Sequence, residues 1–336
     1  MTFKHLDAAR RRTLLRTALA AAVATGLFAA TAASAQQEIK LGHVGEPGSI
    51  FQKSSDEFAR RANAKLGSKA KVVVYGSSQL GGDKEMIQKV KLGTMDMAVP
   101  STVMSSEVDL FGIFEMPYIV KDRKHMAKIE KDVFWPLLAP AAEKKGVKVI
   151  AVWENGVRHI TNNKKPIKAP ADLQGIKLRV PEGKWRVKMF QAYGANPSPM
   201  KFSELFTALQ TGVMDGQENP FTQIYSAKLQ EVQKFLSLSG HVYTPAYVIT
   251  GKTWSSLPPD VRQILEDTAK ETQAFVYETA AKDEDELLTK LKAGGMQVNE
   301  VDKDAFVKAS TSIYEEFGKE VPGAKEAIDK SVALGK

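Results

Sequence analysis

The sequence predicts an α/β protein built as two facing domains crossed by one long helix, and three observations carry that reading. Short apolar strands alternate with amphipathic helices that stop at glycine, as βαβ units do. One such unit is echoed. Val90-Lys91-Leu92-Gly93-Thr94-Met95-Asp96 and Leu209-Gln210-Thr211-Gly212-Val213-Met214-Asp215 share a form: helix, glycine stop, strand entered through Met-Asp. Each copy follows an earlier strand of similar wording, Ile39-Lys40-Leu41 in one case and Ile176-Lys177-Leu178 in the other. A common punctuation of unrelated βαβ units is the other explanation of this echo. Finally, apolar residues from Val261 to Leu291 recur at helical spacing between Pro258-Pro259-Asp260 and Gly294-Gly295. At about 1.5 Å per residue that helix runs roughly 50 Å, enough to lie across both domains.

In chain order, Glu38–Val44 alternates as a strand, and a helix with Phe51, Phe58, Ala62 and Leu66 on one side stops at Gly67. Lys71–Tyr75 reads as a strand covered on both faces. A loop rich in Ser and Gly follows, with Asp83 as the N-cap of a helix bearing Met86, Ile87 and Val90, and Met95–Val99 is the next strand. Phe111–Val120 reads as a core-lining loop, Asp122–Lys145 as a helix interrupted near Pro136 and Pro140, and Val147–Trp153 as a strand. Asn155-Gly156 reads as a turn into a short strand, Val157–Thr161. Beyond Gly175-Ile176-Lys177-Leu178-Arg179-Val180-Pro181 come a helix from Gly183 to Tyr193 and one capped by Ser203 that ends at Gly212. Val242–Thr250 is a strand returning to the first half. The charged run Lys282–Glu286 within the long helix is a solvated stretch or, on the sharper reading, a bend.

The N-terminus reads as an export signal. Arg10, Arg11, Arg12 and Arg16 precede an apolar run from Thr17 to Ala33, and Ala33-Ser34-Ala35 fits a small-residue cleavage site, so residues 1–35 are expected to be removed. The arginine pair suits either a general or a twin-arginine route. The segment carries four of the chain's +8 net charges, and the remaining lysines are interspersed with acids, which argues against nucleic acid as a partner. Zero cysteines exclude disulfides and thiolate metal sites. There is no GxSxG, P-loop, GxGxxG or HExxH motif, and the histidines are scattered, so no metal site or cofactor is implied.

In the strand Ile176–Val180, Lys177 and Arg179 point away from the apolar face, and Pro181 ends the strand. Arg179 then stands at the lip of the sheet, where open α/β folds bind ligands, and its planar guanidinium suits a carboxylate. A surface or ion-paired arginine is the plainer alternative. His43, Glu46 and Asp83 are the residues that a secreted hydrolase or lyase would have to use.

Leu178-Arg179-Val180-Pro181, Gly194-Ala195-Asn196-Pro197, Phe202-Ser203-Glu204 and Ala208–Pro220 resemble the DctP family, as do Ser77–Gly81, Met116-Pro117-Tyr118 and Asn155-Gly156-Val157-Arg158. That family comprises the extracytoplasmic solute receptors of tripartite ATP-independent periplasmic (TRAP) transporters. The resemblance implies a two-lobed periplasmic binding protein fold, with domain I from residues 36–155 and 245–285 and domain II from residues 156–244 and 286–336. It implies a periplasmic receptor, not an enzyme, that binds a sugar acid, hydroxy acid or C4-dicarboxylate and delivers it to small and large membrane subunits; a monomer is expected. By family pattern Arg179 pairs with the ligand carboxylate, Arg158 and Asn219 occupy recurrent contact positions, and Phe202 lines the pocket. Glu46, Asp83, Trp153 and Tyr243 are further candidates, as is Tyr75. Pro100 stands where sialate-specific relatives carry glutamate, which counts against sialate.

Overall fold

Residues 36–336 are described by the structure, a computed structural model. The expected export segment, residues 1–35, lies outside the described residues. Among those described, nine strands form one sheet: β1 (Gln37–Gly42), β2 (Ala70–Tyr75), β3 (Met97–Ala98), β4 (Lys148–Asn162), β5 (Lys177–Val180), β6 (Asn196–Pro199), β7 (Gly216–Asn219), β8 (Phe235–Thr250) and β9 (Gln297–Glu300). Their order is β2-β1-β3-β8-β4-β7-β5-β6, with β9 on β8. Strands β4 and β8 are long and antiparallel, and they join a parallel β1–β3 end to a parallel β5–β6–β7 end. Helices α1 (Ile50–Leu66), α2 (Asp83–Leu92), α3 (Arg123–Ile129), α4 (Lys184–Ala192), α5 (Phe202–Gln210), α6 (Phe221–Ser226) and α7 (Pro259–Ala293) carry the site and its support.

The internal echo is structural. Leu41 pairs with Met97 and Leu178 with Gly216, so the two Met-Asp turns feed their strands in the same register. In each copy the aspartate accepts the lysine amide of the partner strand. Asp96 Oδ2 takes Lys40 N–H at 2.9 Å, and Asp215 Oδ2 takes Lys177 N–H at 3.0 Å.

Helix α7 spans 35 residues without a break. Its first half packs on α1 and β4, where Ala269 O accepts from Trp153 Nε1 at 2.9 Å. Its second half puts Leu287 and Leu291 into a separate apolar core with Leu205, Leu209 and Ile224. The charged run does not bend it. Asp283 is buried there, and both its oxygens accept from Lys53 Nζ of α1 at 2.7 Å. An ion pair across to α1 thus accounts for charge in the middle of the apolar stripe.

Several sequence expectations are corrected. Asn155-Gly156 is no hairpin turn: β4 runs on through it, with register shifts against β8 on either side, and Gly156 takes the φ of +123° that the bulge requires. Asp83 is not an N-cap. Gly82 holds that position because Glu85 Oε2 accepts its amide at 2.6 Å, which releases the Asp83 side chain. Lys201, not Ser203, precedes the first residue of α5, and Ser203 is exposed within it. The first half of Phe111–Val120 belongs to a 3-10 helix, Asp109–Glu115, and only the second half is a loop. Strand β2 is the edge of the sheet, so Val73 and Val74 are only half-covered.

Candidate functional site

Strand β5 is only four residues long because Pro181 cannot extend the ladder, and Arg179 lies next to its end. Its face is not open as the alternation implied. The chain returning through Met200 to α5 covers it, leaving Arg179 only 3% exposed. Nε and Nη2 both donate to Met200 O, at 2.9 and 2.6 Å, and the Phe202 ring centroid lies 5.9 Å from the guanidinium carbon. Among the described residues Arg179 has no ion pair. Burial, and next the charge of Arg158, pull its pKa down to about 10. A buried cation bound to one carbonyl oxygen is costly to keep, and an anion is what would relieve it.

Arg158 is held differently. Its Nε donates to Glu218 Oε2 at 2.5 Å and its Nη2 to Oε1 at 2.9 Å. The same carboxylate accepts from Arg186 Nη1 at 2.6 Å, and Arg186 Nε donates to Glu115 Oε2 at 2.8 Å. Two guanidiniums and two carboxylates are thereby sealed inside as a neutral set. Burial opposes ionisation of Glu218, but Arg158 and Arg186 outweigh it and hold the carboxyl far below its usual range. His241 completes the cluster. Burial keeps its ring neutral, with a pKa near 4, so Nε2–H donates to Glu218 Oε2 at 3.0 Å while Nδ1 accepts from the Ser239 hydroxyl at 2.8 Å.

Arg158 and Arg179 line a cleft of about 490 Å³ counted out into the solvent at its mouth, shared with Asp83, Thr102, Asn155, Asn219, Phe202 and Gln223 among others. Three of its oxygens are buried without a hydrogen-bond partner: Asp83 Oδ1, Thr102 Oγ1 and Gln223 Oε1. Burial, opposed by Arg179 and reinforced by Glu182, pushes the Asp83 pKa up to about 7. At the rim, Lys201 pairs with Glu85 of α2, and the Ser106 hydroxyl donates to Glu182 O, so residues distant in sequence meet over the cleft.

Of the candidates read from sequence, the cleft brings together Arg179, Arg158, Asn219, Phe202 and Asp83. Trp153 lies outside it, packed edge-on against Phe58 with a centroid separation of 5.9 Å. Tyr243 is also elsewhere, its hydroxyl donating to Glu154 Oε2 at 3.1 Å. Glu46 is half-buried on the loop before α1 and does not line the cleft, and Tyr75 reaches out to Glu38 Oε1 at 2.7 Å. His43 is fully buried, and burial lowers its pKa to about 4, so His43, Glu46 and Asp83 form no shared catalytic group. Sequence reasoning missed Gln223, Thr102, Glu115 and Arg186. The last two left a trace: one acid in the apolar run Phe111–Val120, and one arginine on the buried face of α4 beside Trp185, Met189 and Phe190. Among the described residues no His, Asp and Glu group could hold a metal ion, and no helix is long and apolar enough to cross a membrane.

A sheet with parallel units at both ends, a helix shared between two cores and a buried, unpaired arginine in the cleft describe a binding protein, and comparison with known proteins gives the family. Residues 41–320 match the family model DctP, bacterial extracellular solute-binding protein, family 7. The chain belongs to this family. Its members are two-lobed solute receptors, and the α/β architecture here is theirs. The 2,3-diketo-L-gulonate-binding periplasmic protein YiaO of Escherichia coli K12 is 32% identical over 94% of this chain and 97% of its own. Among solved structures, a TRAP periplasmic solute binding protein from Polaromonas sp. JS666, bound to D-erythronate, is 34% identical with a TM-score of 0.85, over 90% of this chain and 100% of that one. Another from Sulfurospirillum deleyianum DSM 6946, with bound succinate, is 34% identical with a TM-score of 0.85, over 89% and 99%.

Proposed function

We propose that this DctP-family receptor works as a monomer in the periplasm, where it closes on a small organic acid and hands it unchanged to the small and large membrane subunits of a TRAP transporter. The observation that carries the reading is Arg179: buried, without an ion pair and lining the cleft. A carboxylate entering such a site loses its water, and charge-assisted hydrogen bonds to a fixed guanidinium offset that loss. The acids bound by its structural relatives, D-erythronate and succinate, support a sugar acid, a hydroxy acid or a C4-dicarboxylate as ligand.

In this reading Arg179 grips the carboxylate, Phe202 covers it, Asn219 and Arg158 form the inner wall, and Asp83 faces it from the opposite side. The lobes comprise residues 36–155 with 245–285, and residues 156–244 with 286–336. Contacts at the rim, Lys201 to Glu85 and Ser106 to Glu182, then bridge them in the closed state. Ligand favours closure because the closed form offers it partners from both sides.

A thermal-shift screen of the mature protein against organic acids tests this. Acids that bind only the folded form should raise the melting temperature by several degrees, and neutral sugars should not. A screen in which no acid shifts the transition would refute the reading. So would recovery of the bound compound chemically altered, the outcome a hydrolase or lyase requires.

A further inference from the structure

We propose that Gln223 makes the cleft selective for hydroxylated monocarboxylates, because it presents a fixed, buried oxygen that a hydroxyl of the ligand can satisfy and a carboxylate oxygen cannot. The inference rests on the receptor reading above and narrows its ligand class.

The orientation of the Gln223 amide follows from its neighbours. The Ser101 hydroxyl donates its one hydrogen to Pro245 O at 2.6 Å, and the Thr244 hydroxyl donates to Gly156 O at 3.1 Å. Each of these oxygens can then only accept from Asn155, which places Asn155 Nδ2 against both, at 3.3 Å in each case. Asn155 Oδ1 is thereby turned toward Gln223 and accepts from its Nε2 at 3.1 Å. The end of Gln223 left over is Oε1, an acceptor. It is sealed from solvent without a partner, on a residue only 2% exposed that lines the cleft. Four residues on four different segments thus fix a choice that a glutamine alone could make either way.

An acceptor in that place rejects a carboxylate oxygen, which has no hydrogen to give, and accepts a hydroxyl. Two more oxygens reinforce the demand. Asp83 Oδ1 is a second unpartnered oxygen of the lining, able to bond with a hydroxyl in either protonation state, and Thr102 Oγ1 is a hydroxyl able to bond with another hydroxyl. The charges agree. Arg158 and Arg186 are ion-paired with Glu115 and Glu218, and Lys201 with Glu85, so Arg179 is the cation of the lining without an ion pair; Asp83 and Glu182 add acid to the same lining, which leaves room for one carboxylate and not for two. A dicarboxylate without hydroxyls, such as succinate, would bring a second anion and no donor.

Calorimetry on the mature protein with acids of matched chain length tests the inference: D-erythronate against succinate, and D-galactonate against adipate. In the better-bound pair the hydroxylated acid should bind at least about tenfold more tightly, since a buried acceptor left unpaired penalises the other member. Gln223→Met should bring the two within about threefold by weakening the hydroxylated acid alone. Thr102→Val, which leaves the Asn155 network intact, should narrow the gap less. Melting temperatures of both variants monitor folding, and the wild-type ratio stands as a test even if a variant fails to fold. Succinate or adipate binding as tightly as its hydroxylated counterpart would overturn the inference and leave the receptor reading standing. So would an unchanged ratio in a folded Gln223→Met protein. Binding of no acid at all would sink both.

Discussion

The two ends of the sheet are built on one plan and put to different uses. Strand β1 pairs with β3 as β5 pairs with β7, residue for residue, and in each an aspartate after methionine locks the turn to the neighbouring lysine amide. Under that correspondence Arg179 of β5 occupies the place of Gly42 in β1. A side chain at Gly42 would collide with the Met95 methyl and come within 2.7 Å of Met86 Sδ, whereas Arg179 has the cleft in front of it. The helices correspond too. Counting back from the stops at Gly93 and Gly212, Asp83 opens α2 where Phe202 opens α5, and both line the cleft. One half supplies the cation and an aromatic cover; the other supplies an acidic acceptor. A repeated frame with different residues at its cleft-facing positions thus lines the cleft with unlike chemistry from its two sides.

The comparison can be broken most forcefully at Arg179. Replacing it with alanine should weaken binding of the cognate acid by about 2–4 kcal/mol, roughly 30- to 1000-fold, the scale on which a buried charged hydrogen bond is lost. Calorimetry with the acid giving the largest thermal shift reads this directly. Gly42→Ala, the smallest change at the corresponding place, should cost about 1–2 kcal/mol of stability in denaturant unfolding and leave affinity unchanged, because it overpacks methionines and touches no ligand. Asp96→Ala and Asp215→Ala should each lose about 1 kcal/mol, in step with each other, if the two turns are the same device. Unequal losses would mean that the likeness is one of shape only.

The smallest expected effect concerns pH. Asp83 has its pKa raised from 3.8 to about 7 by burial, so the stability it contributes is full below about pH 4 and is lost as pH rises through 7. Ionised Asp83 also repels a carboxylate held nearby at Arg179, so affinity should fall a few-fold between about pH 6 and 8. Asp83→Asn should flatten both trends, as followed by unfolding curves and titrations across that range.

Much of this frame was legible in the sequence, because punctuation is local. The echo, the strand ending at Pro181, Arg179 near its tip and the 35-residue helix all follow from short-range pattern. What was illegible depends on partners far away in the chain. Arg186 reads as an ordinary helix residue until Glu115 and Glu218 meet it, 71 and 32 positions away. Gln223 acquires its meaning from Asn155, Ser101 and Thr244. Trp153 and Arg158 lie on one strand, Trp153 in the α7 core and Arg158 in the cleft, and the register shift between Glu154 and Gly156 means that alternation counted from one does not carry through to the other. No alternation rule anticipates a bulge.

The central claim is that Arg179 receives the ligand's carboxylate inside the cleft. A crystal structure of the mature protein with its tightest-binding acid tests it most directly. The account predicts a carboxylate oxygen within hydrogen-bonding distance of the Arg179 guanidinium, with Phe202 beside it. A carboxylate bound elsewhere, with Arg179 still engaged only with Met200 O, would contradict it.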